Sequence, residues 1–439
     1  MRTPSALRAA ALAAAALLTV SACGADDGGG GGSTDAAKQV NVYGADGDMN
    51  NGLGKDFTES GALAGMRGTV LLTDLGKDFQ DRLLKIDPSL TNFNTAGETY
   101  DAVLVTALAA QLAGSNNATV FAPYVNGVTF GGQACTSAKD CLAIVAAGGN
   151  PDYDGLAGPL GFTDAGEPSQ GSYAIESFTD DNKIDTAART FQLVGDPADA
   201  STDEGSAPAA PGTTGAPLVI GSLTPQTGSL SYQGPQQLAA LQLAVADVNA
   251  AGGVLGQPVQ LVTGDSGDAS TDIATQTSDR LLQAGVNAVV GASSSGVSLT
   301  VIDKLTGAGI MMISPASTSD KLTGYDDGGL FFRTVPPDTL QARALADLIG
   351  GDGNNTVGIL ALNDPYGVGL ADNTRADLIG DGLAEKNVVE VIYDPQAANF
   401  DAEVQKMVAL NPDGILVIGF EEAGKIVAGL NAQGIGPQR

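Results

Sequence analysis

The strongest constraint on the fold is an alternation of short apolar, β-branched runs with longer helical stretches, which begins at Pro217 and continues to Ala432. The predicted strands are Leu218–Gly221, Val259–Val262, Ala288–Val290, Ile310–Ile313, Val357–Leu360, Val388–Tyr393 and Gly414–Ile418. The predicted helices are Gln236–Asn249, Thr271–Ala284, one after Ser295, Leu340–Ile349, one from Gly367, Phe400–Leu410 and Glu421–Ala432. Such strands, joined by helical crossovers, are typical of parallel α/β sheets. The series restarts after Arg333–Val335, which predicts two sheets and therefore two lobes.

The preceding part of the chain has a different pattern. It begins with a predicted strand over Gln39–Tyr43 and continues with helices near Asn50–Thr58 and Thr99–Leu112. Two further strands are predicted at Tyr173–Phe178 and Thr190–Val194. A segment rich in Pro, Ala, Gly, Ser and Thr follows and is predicted to be a linker to the second half.

The N-terminal residues have the pattern of an export signal. Basic residues precede an apolar run over Ala9–Val20, which is shorter than the roughly 20 residues needed to span a bilayer. Residues 1–22 are therefore predicted to be a signal peptide. The sequence that ends at Cys23 resembles the lipobox of bacterial lipoproteins, so we expect acylation there and a flexible tether over residues 23–38. The alternative is an ordinary signal peptide with a chance cysteine.

Composition excludes several functional classes. The chain has no histidine and three cysteines, so catalytic histidine triads and typical zinc sites are not expected, nor is a cofactor. With Cys23 assigned to lipid, Cys135 and Cys141 remain, and their spacing suits a small loop closed by one disulfide in an exported protein. The net charge of −29 argues against nucleic acid as a partner. These observations favour a binding protein over an enzyme.

Short motifs occur in a specific combination along both halves of the chain. In the second half they are Val219-Ile220-Gly221, Ala246 to Gly256, Ile313-Ser314-Pro315-Ala316-Ser317-Thr318 and Asp364-Pro365-Tyr366-Gly367, and in the first half Tyr43 to Gly47, Gly65 to Thr69, Tyr100 to Val103 and Tyr153 to Leu160. The combination resembles the leucine/isoleucine/valine-type periplasmic binding proteins of the type I periplasmic-binding fold. The resemblance implies an α/β clamshell in which two parallel-sheet lobes, joined by a hinge, close over a ligand.

The order of these motifs differs from that of the family, because the motifs of the family's C-terminal part come first. The chain therefore resembles a circular permutant, in which Val40–Tyr43 supplies the strand that would otherwise be missing beside Gly414–Ile418. A rearranged reading frame is the alternative. The predicted divisions are residues 1–22 (signal peptide), 23–38 (tether), 39–195 (the family's C-terminal part), 196–216 (linker), 217–335 (first part of lobe 1) and 336–439 (first part of lobe 2).

On lobe 1, the ligand is expected beyond the carboxyl ends of the strands, where Ser294 and Ser295 begin a helix. Hydroxyls and free amide groups at a helix start can bind a carboxylate, although simple helix capping also explains these serines. The family resemblance implies that Ser295, Ala316 and Thr318 hold the α-carboxylate and α-amino groups of an amino acid.

On lobe 2, Asp46 is expected to pair with a ligand ammonium group, and Tyr366 and Phe420 are expected to cover the ligand. The alternatives are a turn aspartate, a turn tyrosine and a core phenylalanine. We expect Tyr232 and Gln233 to contact the variable part of the ligand.

The expected function is that of an exported, lipid-anchored, monomeric binding protein on the outer face of the cytoplasmic membrane. It would capture an amino acid, most readily a branched-chain one, and deliver it to the permease of an ABC transporter. The alternatives are a lipid-anchored ligand sensor and a binder of an amide, urea or another small solute. A surface hydrolase is disfavoured because the chain has no histidine to activate a serine.

Overall fold

The computed structural model describes residues 39–203 and 207–437. The predicted signal peptide, Cys23 and the tether lie outside the described residues. Among the helices of the described part, none is long and apolar enough to cross a membrane.

The described residues form an α/β structure in which strands and helices alternate. The strands are β1 (Asn41–Gly44), β2 (Arg67–Leu71), β3 (Gln133–Cys135), β4 (Pro151–Tyr153), β5 (Gln170–Ser177), β6 (Thr190–Gly195), β7 (Val219–Leu223), β8 (Gln260–Val262), β9 (Ala288–Gly291), β10 (Met311–Ser314), β11 (Phe331–Arg333), β12 (Val357–Leu362), β13 (Val388–Tyr393) and β14 (Gly414–Ile418). The helices are α1 (Lys77–Ile86), α2 (Ala96–Ala113), α3 (Ala118–Phe121), α4 (Ala138–Ala146), α5 (Gly234–Ala250), α6 (Ile273–Gln283), α7 (Ser295–Gly307), α8 (Asp338–Gly351), α9 (Pro365–Gly380), α10 (Asp401–Leu410) and α11 (Ala423–Ala432).

A five-stranded sheet defines lobe 1 and is parallel throughout, and a separate two-stranded sheet pairs β3 with β4. The strand order of the five-stranded sheet is β11–β10–β9–β7–β8. The central strands β9 and β10 are buried along their whole length, which explains their continuous apolar sequence. Helix α2, from the first half of the chain, packs against α5 and contacts both of these strands. Lobe 1 is therefore completed by residues from before the linker.

The larger sheet defines lobe 2 and combines strands from both halves in the order β13–β12–β14–β1–β2–β5–β6. Strand β1 pairs in parallel with β14, with Asn41 opposite Gly414, so the prediction that Val40–Tyr43 lies beside Gly414–Ile418 is confirmed. The expectation of a wholly parallel sheet is wrong here, because β5 runs antiparallel to β2 and β6. Strands β5 and β6 are consecutive in the chain and adjacent in the sheet, so they form a hairpin, in which the two strands run antiparallel.

Other expectations in the first half were less accurate. The helix expected over Asn50–Thr58 is only a single 3-10 turn at Leu53–Asp56. Gly52 and Gly54 disfavour a longer helix. In addition, the Asn50 side chain accepts a hydrogen bond from Gly52 N, which favours a turn. Strand β2 and helices α1 and α4 were not predicted. Neither was β11, which has only three residues and follows two glycines.

The predicted linker lies along lobe 1 in its described parts, residues 196–203 and 207–216. The amide of Ala209 donates to the carbonyl of Leu112 at 2.8 Å, and Gly215 N donates to Leu255 O at 3.0 Å. On the same lobe, Cys135 and Cys141 form a disulfide, with Sγ atoms 2.12 Å apart.

The chain passes between the lobes at four places in the described residues, after β2, before β5, after β6 and after β11. Side-chain hydroxyls connect three of these crossovers, those after β2, before β5 and after β11: Thr73 donates to Leu156 O, Ser172 to Leu72 O, and Thr334 to Glu98 O. These bonds gather the three crossovers into one region, the hinge that the sequence predicts.

Candidate ligand-binding cleft

On lobe 1, the predicted serines stand at the start of a helix. Strand β9 ends at Gly291, and Ser294 then takes an extended conformation in which its Oγ accepts a bond from Val297 N at 3.4 Å. Ser294 is therefore the N-cap of α7, as the capping alternative states, and Ser295 is the first helical residue. Ser295 Oγ accepts a hydrogen bond from Ser319 N at 3.1 Å, which joins the helix start to the turn after β10.

The turn after β10 is fixed by serine hydroxyls. Ser314 Oγ donates to Ala292 O at 2.6 Å and accepts from the amides of Ala316 (3.3 Å) and Ser317 (2.9 Å). Thr318 is buried, and its carbonyl accepts a bond from Asp338 N, at the start of α8, at 2.8 Å. Ala316 and Thr318 are thus held beside the start of α7.

On lobe 2, Asp46 lies just after β1 and is bound by two side chains. Its Oδ1 accepts hydrogen bonds from the Tyr366 hydroxyl at 2.7 Å and from Gln341 Nε2 at 2.8 Å. Tyr366, in the first turn of α9, stacks on Phe420 with ring centroids 5.6 Å apart and an interplanar angle of 7°. Asp46, Tyr366 and Phe420 therefore form one contiguous group, although they are far apart in sequence.

Burial dominates the electrostatics of this group. It raises the pKa of Asp46, and the bonds from Tyr366 and Gln341 partly oppose the effect. The nearby Asp48 is fully buried, and its carboxylate oxygens have no hydrogen-bond partner among the described residues. Burial, and next the charge of Asp46, raise the pKa of Asp48 well above its usual value. A cationic group in this part of the cleft would relieve the repulsion between the two carboxylates.

The two lobes contact each other across the cleft. The Tyr232 hydroxyl donates to the carbonyl of Gly47 at 2.6 Å, and Ser319 Oγ donates to the carbonyl of Pro365 at 2.8 Å. Gln233 Nε2 donates to the Tyr232 hydroxyl at 3.3 Å, so Gln233 supports this contact from lobe 1. These bonds describe a closed arrangement of the lobes.

A cavity of about 640 Å³ lies between the lobes next to these contacts. Both Ser294 and Phe420 line it, so it adjoins the predicted site. Carboxylates dominate its charged lining, and Lys425 is the basic residue there among those the structure describes. The lining carboxylates are Asp268, Asp364, Asp394, Glu421 and Glu422. The charged groups that line the cavity are therefore predominantly acidic.

Three functional-site neighbours were not predicted from the sequence. Gln341 binds Asp46, Ser319 joins Ser295 to Pro365, and Glu422 Oε1 accepts bonds from Phe420 N and the Tyr393 hydroxyl. Glu422 and Ser319 could have been found, since they lie two residues or fewer from predicted site residues. Gln341 has no such signal, because its proximity to Asp46 results from the packing of α8 against β2 and β5.

The described residues contain no group of three or more His, Cys, Asp or Glu side chains placed to hold a metal ion.

Comparison with known proteins gives a consistent family. The sequence profile of the periplasmic binding protein family matches residues 217–439. The Leu/Ile/Val-binding protein BraC3 of Rhizobium johnstonii is 30% identical over 215 residues, which are 48% of this chain and 57% of that protein. An amino acid binding protein of Pseudomonas aeruginosa is 32% identical over 226 residues, which are 50% of this chain and 59% of that protein. The chain thus matches less than two thirds of the length of these relatives.

Among solved structures, the branched-chain amino acid transporter substrate binding protein LivJ of Streptococcus pneumoniae, in complex with isoleucine, is 29% identical, with a TM-score of 0.44. The match covers 50% of this chain and 62% of that protein.

Proposed function

Because this chain belongs to the periplasmic binding protein family, we propose that it captures an amino acid outside the cytoplasm by closure of its two lobes and delivers it to the permease of an ABC transporter. The relatives reported above are named as binding proteins, not as enzymes. In this role, Ser295, Ala316 and Thr318 bind the α-carboxylate and α-amino groups from lobe 1. Asp46 pairs with the ammonium group from lobe 2, and Tyr366 and Phe420 cover the ligand.

The observation that carries this proposal is the continuous set of contacts from Ser295 to Asp46. Ser295 is bound by Ser319, Ser319 binds the Pro365 carbonyl in the opposite lobe, and the adjacent Tyr366 binds Asp46. The start of α7, which can bind the carboxylate of a ligand, therefore lies on one wall of the cleft. Asp46, whose carboxylate can bind the ammonium group of a ligand, lies on the opposite wall. This combination suits the two charged groups of an amino acid backbone.

The ligand class we favour is a branched-chain amino acid, as the names of the relatives suggest. The test is a thermal-shift screen of the mature protein with the twenty amino acids, amides, urea and small carboxylates, followed by calorimetry of each compound that raises Tm. A ligand that binds only the folded state at one hundred times its Kd stabilises the protein by about 2.7 kcal/mol. Stabilisation by leucine, isoleucine or valine supports the proposal, and no shift with any amino acid contradicts it.

A basic amino acid is the second candidate ligand, favoured by the acidic lining of the cavity beside Phe420. A side-chain cation extending from the Asp46 region into this cavity would meet Glu422 and its neighbours. Lysine, ornithine and arginine in the same screen distinguish the candidates. A larger shift with these compounds than with leucine favours the second.

Membrane anchoring through Cys23 is part of the proposal. Mass spectrometry of the protein from membranes of the native host, or of a bacterium with lipoprotein processing, should detect an acylated N-terminal Cys23. Cys23→Ser should release the protein into the soluble fraction. A wild-type protein without lipid after export would contradict the anchor.

The permuted order of the chain is also part of the proposal. It is supported by the family match from residue 217 onward together with the pairing of β1 with β14. The test is a rearranged variant in which residues 39–203 follow residue 437 through a short glycine linker. It should fold with the same circular dichroism spectrum and ligand affinity as the natural order.

A lipid-anchored sensor remains the alternative to a transporter component. Uptake of the labelled ligand by cells with and without the gene distinguishes the two. Loss of uptake in the deletion strain supports transport, whereas unchanged uptake with an altered transcriptional response supports sensing.

A further inference from the structure

The most buried ion pair of lobe 1 lies next to the turn after β10, which carries Ala316 and Thr318. Arg333, at the end of β11, is 1% exposed, and its Nη2 and Nε atoms bind the carboxylate of Glu167, with Nε 2.9 Å from Oε2. Thr323 Oγ1 completes the group, 2.6 Å from Arg333 Nη2 and 2.9 Å from Glu167 Oε2. The amide of Arg333 also donates to Gly166 O at 3.0 Å. The guanidinium is thus held rigidly by a segment from the first half of the chain.

The remaining donor of this guanidinium reaches the turn after β10. Arg333 Nη1 donates to the carbonyl of Ser319 at 2.8 Å and to that of Ser317 at 3.2 Å. These two carbonyls flank Thr318, whose own carbonyl is held by Asp338 N. The three consecutive carbonyls of Ser317, Thr318 and Ser319 are therefore all hydrogen-bonded, two of them by Arg333, which restricts the direction of the Thr318 side chain and of the Ser319 amide that binds Ser295.

We propose that Arg333 and Glu167 are positioning residues of the ligand site, because their ion pair holds residues 317–319 in the geometry that ligand binding requires. The inference rests on the proposed function for its ligand and extends it to two residues outside the cleft. Glu167 keeps the guanidinium oriented, and the guanidinium keeps the turn oriented. Glu167, which is 166 residues away from Arg333 in sequence, thereby affects the affinity of lobe 1 for the ligand.

The rival explanation is that the pair stabilises lobe 1 without any special effect on the site. Removing one partner of a buried ion pair is destabilising wherever the pair lies, because the remaining charge is left uncompensated. The chain offers a matched control in lobe 2, where Arg189 binds the buried Glu176 across the hairpin of β5 and β6. That pair contacts none of the residues in the turn after β10 that the structure describes.

The experiment compares Glu167→Gln and Arg333→Lys with the control Glu176→Gln. Each variant is checked for folding by circular dichroism, and its Kd for L-leucine, or for the best amino acid from the screen, is measured by calorimetry at least 20 °C below its Tm. We expect Kd to rise at least tenfold in the two lobe 1 variants and to change less than twofold in Glu176→Gln. Equal effects of Glu167→Gln and Glu176→Gln would overturn the proposal.

A second measurement is independent of the ligand. Hydrogen exchange of the peptides that contain the Ser317, Thr318 and Ser319 amides should become at least tenfold faster in Glu167→Gln than in wild type, and remain unchanged in Glu176→Gln. If no amino acid binds the wild-type protein, the proposed function fails while this measurement still decides the positioning role. If Arg333→Lys does not fold, Thr323→Val, which removes one hydroxyl from the same group, takes its place. Unchanged exchange in all lobe 1 variants contradicts the proposal.

Discussion

The Tyr232 hydroxyl donates a hydrogen bond to the backbone carbonyl of Gly47 at 2.6 Å, from lobe 1 to the residue that follows Asp46 in lobe 2. Burial is the main reason that the pKa of Tyr232 is raised, so the hydroxyl keeps its proton at physiological pH. The contact is a direct hydrogen bond between the lobes, so opening of the cleft would break it.

Removing this hydroxyl should favour the open arrangement. Tyr232→Phe loses one buried hydrogen bond, worth about 1 kcal/mol, which corresponds to roughly a fivefold shift of the open–closed equilibrium. Small-angle X-ray scattering of the variant without ligand should give a larger radius of gyration than wild type. Tyr325→Phe, which loses a surface bond to Asp303 within lobe 1, is the control and should leave the radius unchanged.

Replacing Asp46 tests its role as the partner of the ligand ammonium group. Asp46→Asn keeps the shape of the side chain but removes its charge, so we expect Kd for the amino acid ligand to rise well over tenfold, as for a lost charge-assisted bond. Calorimetry gives Kd, and thermal unfolding verifies the fold. The exposed Asp199→Asn is the control. An unchanged Kd in Asp46→Asn would assign Asp46 to a structural role.

The pH dependence of stability should reflect the buried carboxyl of Asp101. This side chain accepts bonds from the Tyr153 hydroxyl and from the amides of Leu156 and Ala157 at the hinge, yet burial raises its pKa to about 6 from 3.8. The folded state therefore holds this proton more tightly than the unfolded state does. Its contribution to stability is complete below pH 3.8 and is lost as the pH rises through 6.

The free energy of unfolding should accordingly decrease by a few kcal/mol between about pH 4 and pH 6.5, since each pKa unit corresponds to about 1.4 kcal/mol. Asp101→Asn should reduce the slope of this part of the profile in urea unfolding experiments, while Asp364, whose pKa burial also raises to about 6, accounts for part of what remains. Asp78→Asn, at an exposed position on α1, should retain the wild-type profile. A wild-type stability that increases with pH over this range would contradict the prediction.

The disulfide between Cys135 and Cys141 should stabilise lobe 1 without affecting the ligand. Closing a loop of this length restricts the unfolded chain by about 2 kcal/mol in the chain-entropy description. The double variant Cys135→Ser, Cys141→Ser should therefore lose about that free energy of unfolding, as measured with denaturant under conditions that preserve the wild-type disulfide. Ligand affinity should stay within twofold of wild type, because the loop lies outside the cleft.

The predictions from sequence were most accurate where local and global preferences agree. Strand β14 has the predicted bounds, because an apolar run of only five residues that is rich in β-branched side chains favours a buried strand over a helix. The start of α7 was also located, since serine hydroxyls cap a helix through local bonds. Asn50–Thr58 was assigned wrongly, because glycines there outweigh the helical pattern.

The sequence by itself determined the α/β class, the two lobes and the polar residues that follow the strand ends, because these follow from periodicity and local chemistry. Only the tertiary structure decided that Tyr366 binds Asp46, that Tyr232 binds Gly47, and that Glu167 orients Arg333 behind Thr318. These pairs are more than 160 residues apart, so their contact depends on how two sheets pack and how the crossovers meet at the hinge. No local pattern encodes such distances, since they arise from the burial of many side chains together.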